Sequence, residues 1–368
     1  MKRRYMFGLF SVILLAAAMV SCKSSGDVVE PEPVVEAPPE QTTQPTGVDQ
    51  NLLNNMEAAR AKAEAARQQS IDYEGDVYFP DDWNTAESQY TSAGGANRND
   101  ANAVTEAIRQ YNAAAAAFDD ITAWALPLYA AALRDDVMAA RRDALNAGAM
   151  EFSPDRFYLA DEKGEAAYLK FDAADYYGAI DAGEEALVYY IALKTGSDAF
   201  VVREAIMDHN FVRYDRNNFD LAENSGMDAL DEYDAGNIEV ALDSAEEALF
   251  RYRLVWRTAW QAVAGEQRDA ASAERKAALD IKANVAVRHE FELADSVFTQ
   301  GAAAYNTEEF EEAAGLYSRS ESMFAIVWEA ANYKRQMAED AIRAAEEKVA
   351  ESDETAREAE LILEGGAE

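Results

Sequence analysis

Apolar residues recur at helical spacing along most of the chain, from about residue 51 onward. An aromatic residue is followed by alanine three positions later in four places, Trp83/Ala86, Phe157/Ala160, Phe219/Ala222 and Phe291/Ala294. In the last three copies, further apolar positions follow at steps of three and four residues, which keeps them on one face of a helix. Pro80 and Pro154 stand three residues before two of the copies, and proline is favoured in a first helical turn. The pattern predicts a helix in each copy, called helix A, with Ser153 as a cap for the second.

A second helical pattern, called helix B, follows each helix A. Its copies share a bulky residue three positions before an alanine and an aromatic residue eleven positions after it; the alanines are Ala107, Ala179, Ala241 and Ala313. The first and third spacings between successive alanines are equal, and the second spacing is shorter. Four copies in one register predict a repeat protein whose equivalent alanines form close helix contacts.

A third element precedes each helix A. An arginine stands at one constant spacing before each landmark alanine, at Arg67, Arg141, Arg203 and Arg275, and residues 345–350 resemble a fifth copy. One unit is shorter, and the segment Lys194–Asp198 is predicted to break the helix there. The segment Tyr252–Val287 is predicted to run almost unbroken.

The second helix of these units resembles that of the tetratricopeptide repeat (TPR). The matching segments are Gly236–Leu249 and Glu309–Tyr317, with a small residue twelve positions before each helix B alanine. The early Trp and Leu of that family and its closing proline are missing, and the period exceeds the family's. The resemblance implies an all-α, TPR-like solenoid of antiparallel helical hairpins over residues 49–364, in four units of about 62–74 residues with an extra helical segment each. A long coiled coil or a spectrin-like bundle is the alternative.

The N-terminus has the pattern of a processing signal. Three basic residues at positions 2–4 precede an apolar run that ends at Val20, and the chain's single cysteine follows Ser21 directly. This arrangement resembles the lipobox of bacterial lipoproteins, which implies cleavage of a signal peptide at residues 1–21 and acylation of Cys22 with chains such as palmitate. Several acyl chains would hold the protein on a bilayer. An ordinary secreted protein and an uncleaved signal anchor are the alternatives.

Residues 22–48 contain five of the eight prolines, and we expect them to form a disordered, extended tether after the lipidated cysteine. The tether would separate the helical repeat domain from the membrane.

Composition excludes several classes of function. Asp and Glu number 69 against 33 Lys and Arg, which gives a formal net charge of −36. Nucleic acid is therefore not expected as a partner, because affinity for a polyanion comes from Lys and Arg. One cysteine rules out a disulfide scaffold. No catalytic, cofactor or metal motif is present, so we expect no enzyme, no cofactor and no metal site.

The aromatic residues on or beside the helix A stripe are the candidate partner-binding residues: Tyr168, Phe171, Tyr233, Phe298 and Tyr305. Aromatic anchors often dominate interfaces, although the same positions suit packing in the core. The leading hypothesis is a membrane-anchored, extracytoplasmic scaffold of the cell envelope, on the cell membrane or outer membrane and in contact with the periplasm. It would contact the bilayer through acylated Cys22 and bind an unidentified envelope protein or peptide. The alternatives are a transporter-associated, solute-handling lipoprotein with a small apolar ligand in the helical stack, and a cell-envelope enzyme or wall-binding module.

Overall fold

The computed structural model describes residues 48–365, with side chains described as far as Leu361. The predicted signal peptide, Cys22 and the tether up to residue 47 lie outside the described residues. Within residues 48–365 the chain is helical and contains no strand. The helices are α1 (Gln50–Asp72), α2 (Gly75–Tyr78), α3 (Pro80–Gly94), α4 (Ala101–Asn146), α5 (Ala149–Phe152), α6 (Pro154–Asp172), α7 (Tyr176–Asp208), α8 (Arg216–Ala235), α9 (Ile238–Asp280), α10 (Ala283–Ala286), α11 (Arg288–Asn306) and α12 (Phe310–Gly365), with a 3-10 turn at Phe211–Tyr214.

Long and short helices alternate in a fixed order. The long helices α1, α4, α7, α9 and α12 pack one against the next, and the shorter helices α3, α6, α8 and α11 each pack on the long helix that follows. Helix A of the four units is therefore α3, α6, α8 and α11. Helix B is the first part of α4, α7, α9 and α12.

The predicted starts of two A helices agree with the structure, because Pro80 opens α3 and Pro154 opens α6. Ser153 stands directly before α6, at the predicted cap position. Its side chain makes no capping hydrogen bond, however, so the prediction that it caps the helix is wrong. The carboxylate of Asp215 does accept such a bond at the start of α8, from the backbone N–H of Asn218 at 3.1 Å.

In units 2 to 4 the third element is not a separate helix, because it continues helix B of the preceding unit; in unit 1 it is α1. The prediction of a break at Lys194–Asp198 is wrong, since α7 runs through this segment. Lys194 Nζ lies 2.6 Å from Asp198 Oδ2 one turn later, and a single glycine in a helix costs only about 1 kcal/mol.

The shorter period arises because α7 has 33 residues, against 46 in α4 and 43 in α9. As predicted, α9 is long, but it ends at Asp280 before a turn and the four-residue α10.

The equivalent alanines are buried as predicted. Ala107, Ala179, Ala241 and Ala313 in helix B all lie in the interior, and Ala86, Ala160, Ala222 and Ala294 in helix A are fully buried. Side chains this small let neighbouring helices approach closely, and aromatic rings fill the space at the ends of each unit. The buried residues form five clusters along the helical array, and equivalent alanines and rings recur in them from unit to unit.

Candidate binding grooves

An arginine–carboxylate pair ties each long helix to the helix A that follows it. The pairs are Arg67–Glu87, Arg141–Asp161, Arg203–Glu223 and Arg275–Asp295, with nitrogen–oxygen distances of 2.6 to 2.7 Å. Each acid directly follows the landmark alanine of its unit, so its spacing from the arginine is the same in all four units. The sequence pattern located the arginines, but the acid at this fixed offset was the signal it missed.

In units 2 and 3 a tyrosine completes this pair. The hydroxyl of Tyr190 donates to Asp161 at 2.6 Å, and that of Tyr252 donates to Glu223 at 2.5 Å. The equivalent residues in units 1 and 4 are Phe118 and Phe324, which have no hydroxyl. The middle units are thus chemically distinct from the outer ones.

The pKa values in the unit 3 group reflect this geometry. Burial alone would raise the pKa of Glu223, but hydrogen bonds from Arg203 and Tyr252 outweigh it and hold the pKa below its usual value. Two effects raise the pKa of Tyr252 well above that of a free tyrosine: burial, which is the larger, and the hydrogen bond to the Glu223 carboxylate. The group therefore exists as an ion pair with a neutral phenol near pH 7.

Two grooves lie beside these groups, one in each middle unit. The unit 2 groove has a volume of about 400 Å³ and the unit 3 groove one of about 310 Å³. Every lining residue of the unit 2 groove has a counterpart in the unit 3 groove at one constant offset along the chain, and the unit 3 groove has further lining residues besides. The pairs include Met138 and Phe200, Gly164 and Gly226, Glu165 and Met227, Tyr168 and Leu230, Phe171 and Tyr233, and Gly183 and Ala245. The second half of one long helix, helix A and helix B form the walls of each groove.

Ring pairs occupy the same positions in the outer units. In unit 1, Tyr90 and Tyr111 stand where unit 2 has Gly164 and Gly183, and their ring centroids are 5.5 Å apart. In unit 4, Phe298 and Tyr317 stand where unit 3 has Gly226 and Ala245, with centroids 5.3 Å apart. In units 2 and 3, where the two grooves lie, small residues stand in place of both rings.

The unit 3 groove has apolar side chains at its mouth, and the charged side chains in its lining are paired with each other or with neighbouring residues. Phe200, Met227 and Leu230 are exposed hydrophobic side chains at its edge. Besides the Arg203–Glu223 pair, the lining contains Arg156. Its Nε and Nη2 donate to the two carboxylate oxygens of Asp234 at 2.8 and 2.6 Å, which forms a bidentate ion pair. Since the charged side chains that line this groove are already paired within the protein, the groove suits apolar ligand atoms.

The five predicted binding residues are placed differently by the structure. Tyr168 lies exposed at the mouth of the unit 2 groove, and Phe171 is half-buried in the same groove beneath the guanidinium of Arg134. Tyr233 is buried and lines the unit 3 groove. Phe298 is one of the rings that fill unit 4, and Tyr305 packs on Phe310.

Pattern reasoning missed Met138, Phe200, Met227 and Leu230 at the groove mouths. The sequence did contain an indication of these groove residues: helix A has glycine at Gly164 and Gly226, whereas the equivalent positions of the outer units carry aromatic rings.

Two further observations concern metal ligands and membrane-spanning helices. Between residues 48 and 365, no three His, Cys, Asp or Glu side chains are grouped so that they could hold a metal ion. In the same range, no helix has both the length and the apolar character needed to cross a bilayer.

These features define an all-helical repeat protein with two equivalent apolar grooves in its middle units. The chain is 25% identical over 225 residues to Treponemal membrane protein A of Treponema pallidum (strain Nichols). The alignment covers 61% of this chain and 65% of that protein, so the chain spans slightly less than two thirds of that relative's length. No protein-family model and no solved structure matches the chain.

Proposed function

We propose that this protein is a membrane-anchored scaffold of the bacterial cell envelope that binds a partner protein or peptide through the unit 2 and unit 3 grooves. In this proposal the helices form a divergent TPR-like solenoid, the signal peptide is removed, and acylated Cys22 holds the protein on the extracytoplasmic side of a membrane. The protein has no catalytic role. Support for membrane attachment comes from the sequence around Cys22 and from the name of the similar Treponema protein.

The observation that carries the proposal is the pair of equivalent open grooves between filled units. Filling a groove with two rings buries apolar surface, and each ring adds roughly 1.5–3 kcal/mol when fully buried. The outer units gain that stability and the middle units do not. An unfilled apolar groove with exposed hydrophobic side chains at its mouth is typical of an interaction site.

Two grooves one unit apart favour a partner segment over a single small molecule, because such a segment carries several apolar side chains at regular spacing. Repeat arrays bind partners along extended surfaces in this way.

A small apolar ligand in either groove is the second candidate function, as in a solute-handling lipoprotein. The observation that favours it is the internal pairing of the charged side chains that line the unit 3 groove. Volumes of about 310 and 400 Å³ also lie in the range of ligand pockets.

Site-specific photocrosslinking in intact cells tests the partner proposal. A crosslinking amino acid at Met227, at the mouth of the unit 3 groove, should capture a discrete partner, whereas one at the exposed Gly315 of α12 should not. Gly226→Phe copies the ring that unit 4 carries at this position and should abolish the product. A product at Met227 that persists in Gly226→Phe would show that the partner does not enter the groove.

A further inference from the structure

We infer that the occupant of the grooves is a cationic amphipathic segment, in which apolar side chains enter the grooves and neighbouring Lys or Arg side chains meet carboxylates at the rims. This inference rests on the proposed function and adds the chemistry of the partner.

The surroundings of the grooves are strongly acidic. Residues 130–252, which contain the lining of both grooves, have 27 Asp and Glu against 11 Lys and Arg. Eight of these eleven cations are already held in ion pairs: Arg134, Arg141, Arg156, Lys163, Lys194, Arg203, Arg216 and Arg251. Little positive charge is therefore left to attract an acidic partner.

The surface of α8 beside the unit 3 groove, called its rim, shows the same imbalance locally. Asp228 follows Met227 directly and Asp231 lies one helical turn after it, both outside the lining residues themselves; neither carboxylate has an ion-pair partner among the described residues. In the unit 2 groove, Glu165 occupies the position of Met227 and is likewise without an ion-pair partner in the described part of the chain. The interior is thus apolar and the rim carries unbalanced negative charge.

This combination discriminates between partner types. An apolar side chain of Leu or Phe size suits the interior, since a cavity of roughly 150 Å³ already accepts a benzene ring. Cationic flanks are attracted by the rim, and acidic flanks are repelled. At physiological salt the screening length is about 8 Å, so the attraction acts between the rim and the flanks of the bound segment and weakens as salt is added.

The test measures binding of three probes to the full-length protein and its variants by fluorescence anisotropy or fluorescence intensity. The probes are an 18-residue amphipathic helix of Leu and Lys, its counterpart of Leu and Glu, and the neutral dye Nile red. We expect the Leu/Lys helix to bind and the Leu/Glu helix not to bind. Asp228→Asn/Asp231→Asn should weaken binding of the Leu/Lys helix a few-fold and reduce its dependence on salt.

Groove-filling variants show where the Leu/Lys helix binds. Gly226→Phe should weaken its binding at least about tenfold, because a bound apolar side chain loses its site. The matched control, Gly315→Phe on α12, also places a ring where a Cβ has open space and lies outside the grooves, so it should leave the affinity unchanged. Ala245→Tyr copies Tyr317 of unit 4 and gives a second groove-filling variant should Gly226→Phe fail to show a helical circular-dichroism spectrum.

The outcomes separate the two levels of the proposal. Equal binding of the Lys and Glu helices, or binding of the Leu/Lys helix that resists both groove-filling variants, overturns the inference. Nile red binding that Gly226→Phe abolishes, with no peptide binding, leaves the groove as a small-ligand site and again overturns the inference. If no probe responds to either groove-filling variant, the proposed function fails together with the inference.

Discussion

Removing Arg203 tests whether the arginine–carboxylate pairs hold helix A in place. The Arg203 guanidinium contacts Glu223 through two bonds of 2.6 and 3.1 Å, and both side chains are 31% exposed. In Arg203→Met, Glu223 keeps only the hydroxyl of Tyr252 while remaining largely shielded from water.

The expected cost lies between two limits. Exposed ion pairs contribute about 0–1 kcal/mol, and breaking a fully buried pair costs about 3–5 kcal/mol. A two-thirds buried, two-pronged pair should fall between them, so Arg203→Met should lower the free energy of unfolding by about 2 kcal/mol. The double variant Arg203→Met/Glu223→Gln should recover part of this loss, because it no longer leaves an unpaired carboxylate, with a coupling energy of about 1–2 kcal/mol.

Urea unfolding followed by circular dichroism at pH 7 measures these values. Arg288→Met is the matched control, since its pair with Glu292 is 79% and 62% exposed, and it should cost about 0.5 kcal/mol or less. Arg203→Met that costs no more than Arg288→Met would refute the reasoning.

The same pair gives a prediction for pH. The folded-state pKa of Glu223 is below its ordinary value of about 4.3. The unfolded chain therefore binds this proton more readily, and the stabilisation from Glu223 is present above that ordinary value and is lost as the pH falls through the folded-state pKa. The difference in unfolding free energy between the native protein and Glu223→Gln should accordingly shrink below about pH 4.

Four single substitutions test other positions. Gly226→Ala should stabilise the protein by about 0.5–1 kcal/mol, because a Cβ there meets nothing within 4 Å and alanine favours a helix. Gly75→Ala should destabilise the protein by about 2 kcal/mol, because the new Cβ would contact Ser70 Oγ and lie 2.7 Å from Ile121 Cγ2. If thermal unfolding shows the same change in stability for Gly226→Ala and Gly75→Ala, both predictions are wrong. In ultraviolet titration, Tyr252→Phe should remove a phenol that ionises above the pH range of free tyrosine, because burial and the Glu223 carboxylate raise its pKa; loss of a normally titrating phenol instead would count against the packing of Tyr252. Cys22→Ser should prevent acylation and move the protein from the membrane to the soluble fraction of lysed cells, as judged by metabolic labelling with palmitate and by fractionation; unchanged sedimentation with membranes would disprove lipid anchoring.

The repeated positions made much of the helical architecture predictable from the sequence. The alanines of helices A and B recur in one register because each occupies a close helix contact, and a larger side chain there would force the helices apart. Pro80 and Pro154 marked helix starts for an equally local reason, their fixed backbone angle.

Other features depend on comparing units in space. Gly196 favoured a break in α7, but the neighbouring helices and the Lys194–Asp198 pair keep the helix continuous, so tertiary packing outweighed local propensity. The grooves depend on the absence of rings at Gly164 and Gly226 together with the small residues opposite them on helix B. The sequence pattern alone could not show that these gaps remain open rather than close by a shift of the helices.

The fused long helices have a consequence for dividing the protein into modules. Because α4, α7 and α9 each belong to two units, the boundary between units lies inside a helix and not in a turn. A deletion cut at the turns would discard parts of two modules. A deletion whose two ends lie at equivalent points of α4 and α7, such as Arg141 and Arg203, would join two half-helices in register and remove one complete module. Shortened chains made in the second way should therefore keep continuous long helices.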